Sequence, residues 1–208
     1  MYHPAKEIPV KRICKIALAS ISWAGIILQL SIASDSLFNF ISYFTILANL
    51  FIAISLSISL IKPASKIGIF LDGVSVQSAL ALYIFVVAVI YNSIIRGAWT
   101  QTTAQFIADN LLHVLIPVLY ILYWLIFVPK GILKWKDLIH WIYFPLIYLL
   151  YCLLRGALIG WYPYFFINVN ELGYSRVFIN IAMILALMLF GGALLIALNR
   201  LLKKKAMV

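Results

Sequence analysis

Apolar runs long enough to cross a hydrocarbon layer recur along the chain, separated by short polar breaks. A bilayer core needs about 20 mostly apolar residues in one helix. Segments 13–33, 39–61, 70–95, 105–128, 137–159 and 176–199 meet that requirement. The breaks carry residues that end helices: Ser34-Asp35-Ser36, Lys62-Pro63, Arg96-Gly97, Pro129-Lys130-Gly131 and the stretch from Trp161 to Gly173. The pattern predicts an all-α protein, a six-helix transmembrane bundle forming one integral membrane domain over residues 1–208. The first run has no small-residue cleavage site and is read as an anchor rather than a removed signal.

Composition supports a membrane as solvent. The 208 residues are 65% hydrophobic and only 11% charged, whereas a soluble domain carries roughly 25% charged residues to face water. The net charge of +10 does not point to nucleic acid, because the basic residues sit in short segments between apolar runs. Thirteen of the 16 basic residues fall on one side of the alternating topology: Lys6, Lys11, Arg12, Lys15, Lys62, Lys66, Lys130, Lys134, Lys136, Arg200, Lys203, Lys204 and Lys205. Arg96, Arg155 and Arg176 remain for the other. Basic loops stay cytoplasmic, so both termini are expected there. Trp99, Trp161, Tyr162 and Tyr164 would anchor the outer interface, and Trp135 and Trp141 the inner one.

Polar groups inside a membrane are costly, and their positions are informative. The second run carries Tyr43, Thr45 and Asn49, and the fourth Asp109, Asn110 and His113. At 1.5 Å per residue, Thr45 would lie about 9 Å and His113 about 12 Å below the outer boundary. Tyr91, Asn92, Arg96, Tyr151, Arg155 and Asn180 belong to the same leaflet, whereas the inner one offers much less, with Ser75, Gln77 and Ser78. Asp109 and His113 are four apart and share a helix face. A carboxylate on one imidazole nitrogen would fix the tautomer and leave the other nitrogen as a base. Pro117 has no N–H for the His113 carbonyl, so a bend is expected there. Gly156 and Gly160 form a small-xxx-small pair, read as a close helix contact.

Cys14 and Cys152 are isolated, the three histidines have no zinc spacing, and no GxSxG, HExxH or P-loop motif occurs. No metal and no cofactor is expected.

Tyr43-Phe44-Thr45, Asp109-Asn110-Leu111-Leu112-His113 with Pro117, and Arg155-Gly156 followed by Gly160-Trp161-Tyr162-Pro163-Tyr164-Phe165 resemble bacterial relatives of the androgen-induced membrane hydrolases. The resemblance spans the chain from the second helix to the loop after the fifth. It implies a bacterial inner (plasma) membrane location and hydrolysis of fatty acid esters of hydroxy fatty acids by a threonine and a histidine. Carried over, Thr45 is the nucleophile and His113 its general base; the four-residue spacing adds Asp109 as the group that orients the imidazole. Ala48 and Asn49 stand where an acidic residue is expected near the threonine. Asn49, Asn92 and Asn110 are candidate oxyanion donors, Arg155 or Arg96 a candidate partner for a lipid carboxylate, and Tyr43 a candidate substrate contact. Membrane lipids and an amphipathic lipid ester are the expected partners. The alternatives are a small-solute or proton-coupled transporter or channel, which needs a polar path to both faces, and a non-enzymatic lipid-binding protein.

Overall fold

The computed structural model describes residues 9–97 and 102–203. Trp99, His3, Lys6, Lys204 and Lys205, used above for topology and chemistry, lie outside the described residues. The regular structure is helical throughout the described residues: α1 (Pro9–Ile32), α2 (Leu37–Phe40), α3 (Phe44–Ile61), α4 (Lys66–Leu71), α5 (Val74–Ile90), α6 (Thr103–Asn110), α7 (Ile116–Phe127), α8 (Trp135–Ile159) and α9 (Val169–Leu201). A π turn, Tyr91–Ile95, extends α5, and a second, Leu111–Leu115, joins α6 to α7. Among the described residues six helices are long and apolar enough to cross a membrane, 9–32, 44–61, 74–95, 103–127, 135–159 and 169–201. The fold is all-α and multi-pass.

Several boundaries move for local reasons. The Ser36 side chain accepts the Asn39 N–H and nucleates α2, so the second crossing starts at Phe44 and not at 39. Ser65 likewise caps α4, and α5 starts afresh after Gly73. The last crossing starts earlier than expected because Asn168 caps a turn that runs into Gly173, whose φ of 72° and ψ of 161° only glycine adopts readily.

The described residues form two compact units, one drawn from residues 9–34 and 45–129, the other from residues 35–44 and 130–203. In the first unit α5 packs along α7, and α1 lies along α6, α7 and the π turn between them. Gly25 permits that approach: a Cβ there would stand 3.1 Å from Leu112 Cδ2. Ile52, Ala53, Leu56, Ala81, Leu82, Ile84 and Ile116 of this unit are fully buried.

Towards the start of α1 the first unit is more polar than the sequence pattern implied. Gln77 donates to the Leu71 carbonyl at 2.6 Å and accepts the Tyr120 hydroxyl at 2.6 Å, while the Trp124 indole donates to Ser78 at 2.8 Å. Buried polar groups persist when their partners are present. Here those partners are a carbonyl and two aromatic side chains that hydropathy counts as apolar or neutral. Lys15, fully buried, meets Asp72 at 2.8 Å, and Lys11 reaches the same carboxylate at 3.4 Å.

In the second unit α8 packs against α9. Asn199 Oδ1 accepts the backbone N–H groups of Gly131, Ile132 and Leu133 at 2.9, 3.1 and 3.1 Å, closing the loop before α8. Gly160, at φ 71°, ends α8 in the left-handed conformation. A Cβ on Gly156 would overlap the Tyr162 ring. The glycine pair expected to make a helix contact therefore serves the end of its own helix and the aromatic ring folded over it.

Candidate functional site

His113 lies in the π turn between α6 and α7 of the first unit, and the sequence around it explains its setting. In that turn the Ile116 N–H bonds to the Leu111 carbonyl rather than to Leu112. The next residue, Pro117, has no N–H at all. The Leu112 and His113 carbonyls thereby lose the donor they would otherwise take. Two asparagines replace it. Asn49 Nδ2 donates to the Leu112 carbonyl at 3.4 Å and to the Thr45 carbonyl at 2.9 Å. Asn92 Nδ2 donates to the His113 carbonyl at 3.1 Å and to the Ala88 carbonyl at 2.8 Å. An amide has two N–H donors. Both donors of Asn49 and of Asn92, candidates for an oxyanion site, are committed to main-chain carbonyls.

The imidazole is held from three sides. His113 Nδ1 lies 2.9 Å from the Asp109 carbonyl, and 3.9 Å from the Asp109 carboxylate. A carbonyl only accepts, so Nδ1 carries the proton and Nε2 keeps its lone pair. The tautomer expected from the sequence is present, but the main chain of Asp109 selects it instead of the side chain. Tyr91 stacks on the ring with centroids 3.6 Å apart, and its hydroxyl is hydrogen-bonded to the Asp109 carboxylate. Gln105 donates to the same carboxylate at 2.9 Å and to Gln29 at 3.2 Å. Asp109, His113 and Tyr91 are all buried.

Thr45 stands in the first turn of α3, half-buried. The Asn49 amide joins that turn to Leu112. Helices separated by one intervening crossing run in the same direction, so α3 and α6–α7 are parallel. If Asn49 is level with Leu112, then Thr45, one turn back, is level with residues near Asp109. The His113 side chain also leans back one turn, as its bond to the Asp109 carbonyl shows. The Thr45 turn is thus joined, through Asn49, to the segment that carries His113.

Asn110 takes another role: it donates to the Phe106 carbonyl at 2.7 Å and accepts Arg96 at 2.5 Å, leaving one amide hydrogen over. The remaining expected residues, Arg155 and Tyr43, belong to the second unit. Arg155 donates to Ser42 at 2.7 Å and Asn39 at 2.6 Å and lies over the Trp161 ring, 4.3 Å from its centroid. Tyr43 packs edge-on against Trp161 and Tyr164 and bonds to Asp35 at 3.3 Å. Burial and the Asp35 carboxylate push the Tyr43 hydroxyl up to about 12, so it remains a neutral donor.

Sequence reasoning did not count Tyr91, Gln105 or Gln29 among the site residues. Gln105 is four residues before Asp109, and that helical spacing was the available signal. Neither the Tyr91 stack nor the π turns have a sequence signal of their own, although π turns recur at functional sites. Among the described residues no group of three His, Cys, Asp or Glu side chains is placed to hold a metal ion. Comparison with family models, with curated protein sequences and with solved structures returns no match.

Proposed function

We propose that the chain is an intramembrane hydrolase of lipid esters, with Thr45 as nucleophile and His113 as general base. The observation that supports this reading is the Asn49 bridge, which ties the Thr45 carbonyl to that of Leu112, the residue before a histidine whose Nε2 keeps its lone pair. Thr45 Oγ1 attacks the ester carbonyl carbon while Nε2 takes its proton. The tetrahedral intermediate expels the alcohol, which receives that proton from the imidazolium. Water then attacks the acyl-threonine, with Nε2 again accepting a proton, and the fatty acid leaves as threonine is restored.

Asp109 acts on the ring through its carbonyl, and its carboxylate holds Tyr91 against the ring face. The donors left for the oxyanion are the remaining amide hydrogen of Asn110 and the Arg96 guanidinium. The same reading puts both termini in the cytoplasm and the protein in a plasma membrane of the bacterial inner type, on the basic-residue asymmetry. Its substrates are amphipathic lipid esters such as fatty acid esters of hydroxy fatty acids.

The test is turnover of such an ester by purified protein in detergent or nanodiscs. Thr45→Ala and His113→Ala should each lower kcat at least about 10³-fold, and Thr45→Ser should keep measurable activity. Wild-type turnover in both alanine variants would end the proposal.

Transport has one observation of its own, the hydrogen-bonded cluster around Gln77 at the other end of the first unit. That cluster takes in Ser55, whose hydroxyl accepts Gln77 at 3.3 Å, while Ile52 and Ala53, between Ser55 and Asn49 on α3, are fully buried and apolar.

A further inference from the structure

The second unit carries a cation whose charge is met by neutral groups alone. Arg155 lies on α8, five residues before the Gly160 that ends the helix. At 1.5 Å per residue this is about 7 Å from the helix end. Trp161, Tyr162 and Tyr164 follow directly, and aromatic residues of this kind mark headgroup level. The guanidinium donates once to the Ser42 hydroxyl and once to the Asn39 side-chain carbonyl, and one face is covered by Trp161. A guanidinium has five N–H donors, so three are left. Among the described residues no carboxylate lies within ion-pair distance of it.

The neighbouring groups fix which way this site is polarised. Ser42 has one hydroxyl hydrogen, given to the Phe38 carbonyl at 2.6 Å. The Tyr151 hydroxyl, 2.7 Å from Ser42, must therefore be the donor of that pair. Ser42 then accepts from both Arg155 and Tyr151 and has nothing left to offer. Asp35 is the acid nearest in the network, but it is exposed, and it accepts from Asn39 at 3.3 Å and from Tyr43 at 3.3 Å. The Asn39 amide stands between it and the guanidinium. A partly buried cation at headgroup depth, held by neutral acceptors and backed by an indole, is short of one ligand: an oxyanion. At that depth the membrane supplies one in quantity, the phosphodiester of its own lipids.

We propose that Arg155, with Trp161 behind it, is a seat for a phosphate oxyanion, supplied by a phospholipid headgroup or by free phosphate. Arginine suits this because its fork bonds phosphate oxygens in pairs. The seat is independent of the hydrolase reading.

The experiment uses the full chain in a neutral detergent. Thermal unfolding is followed while the protein is titrated in separate arms with short-chain phosphatidylglycerol, the corresponding diacylglycerol, and inorganic phosphate against chloride at equal ionic strength. Native mass spectrometry counts retained phospholipid. Wild type should be stabilised saturably by phosphatidylglycerol and not by diacylglycerol. Arg155→Gln should bind about tenfold more weakly or worse, the order expected for loss of a charge-assisted pair. A shift with phosphatidylglycerol alone identifies the headgroup as the source, and an equal shift with inorganic phosphate identifies the free ion. Equal stabilisation by diacylglycerol, or unchanged retention by folded Arg155→Gln, overturns the proposal. Since Arg155→Gln also releases Asn39 and Ser42, the wild-type comparison of the two lipids decides the matter if that variant does not fold.

Discussion

The two asparagines beside the π turn invite a quantitative test, because their role depends on a proline. The Asn92 amide serves the His113 carbonyl at 3.1 Å, which lacks an N–H four residues on because that residue is Pro117. Removing the amide strands a carbonyl among apolar neighbours. An orphaned buried acceptor costs about 1–3 kcal/mol, while hydrogen bonds between membrane helices average about 0.6 and reach about 1.7 kcal/mol. Asn92 is itself exposed at one edge, so part of the loss is recoverable. The expected cost of Asn92→Ala is therefore about 1 kcal/mol.

The same change in a Pro117→Ala background should cost much less. An alanine in place of the proline brings back the missing N–H, which can bond to the His113 carbonyl as in any α-helix. A double-mutant cycle should give a coupling close to the whole Asn92→Ala effect, about 1 kcal/mol. The assay is reversible unfolding of the purified protein by SDS in mixed micelles, followed by tryptophan fluorescence. Additive costs within about 0.3 kcal/mol would refute the argument, since Asn92 would then not be standing in for the proline's absent donor.

Three further outcomes are expected. Asp72→Asn leaves the fully buried Lys15 without its 2.8 Å partner and should destabilise by about 1–3 kcal/mol, less than a wholly buried pair because the carboxylate is partly exposed; the same SDS titration measures it. Asn199→Ala removes one oxygen that accepts three backbone N–H groups and should cost about 1–2 kcal/mol, with faster amide exchange at Gly131, Ile132 and Leu133 as the local readout. With Cys14 and Cys152 replaced by alanine, Ala53→Cys and Ala81→Cys should resist a water-soluble maleimide while Ser34→Cys, at an exposed position, reacts.

What the sequence revealed and what it hid divide along physical lines. The crossings were legible because hydropathy is a property of composition over about 20 residues. The split of the second crossing was not, since it turns on the Ser36 hydroxyl capping a four-residue helix. The four-residue spacing of Asp109 and His113 correctly put them on one face, yet it could not show that the carbonyl at 2.9 Å and not the carboxylate at 3.9 Å holds the ring. Pro117 announced a missing donor, but the answering groups, Asn49 and Asn92, come from other helices. Gln77 was visible as a lone amide, while its partners Tyr120 and the Leu71 carbonyl belong to residues that carry no polar signal in a hydropathy scan.

The commitment of Asn49 and Asn92 to carbonyls also bears on how the first unit can work. A transporter site needs polar groups that exchange partners as a solute or proton passes. Asn49 and Asn92 each hold two main-chain carbonyls, and moving either amide would strand acceptors that Pro117 leaves without a substitute. The π turn is thereby fixed in place, and with it the imidazole, whose Nδ1 is tied to the main chain of that same segment. Such fixed hydrogen bonding runs against the partner exchange that alternating access needs. Ile52, Leu56, Leu82 and Ile84 of the same unit are fully buried and apolar. Under the hydrolase proposal the ring's tie to the Asp109 carbonyl keeps Nε2 free to act as the base.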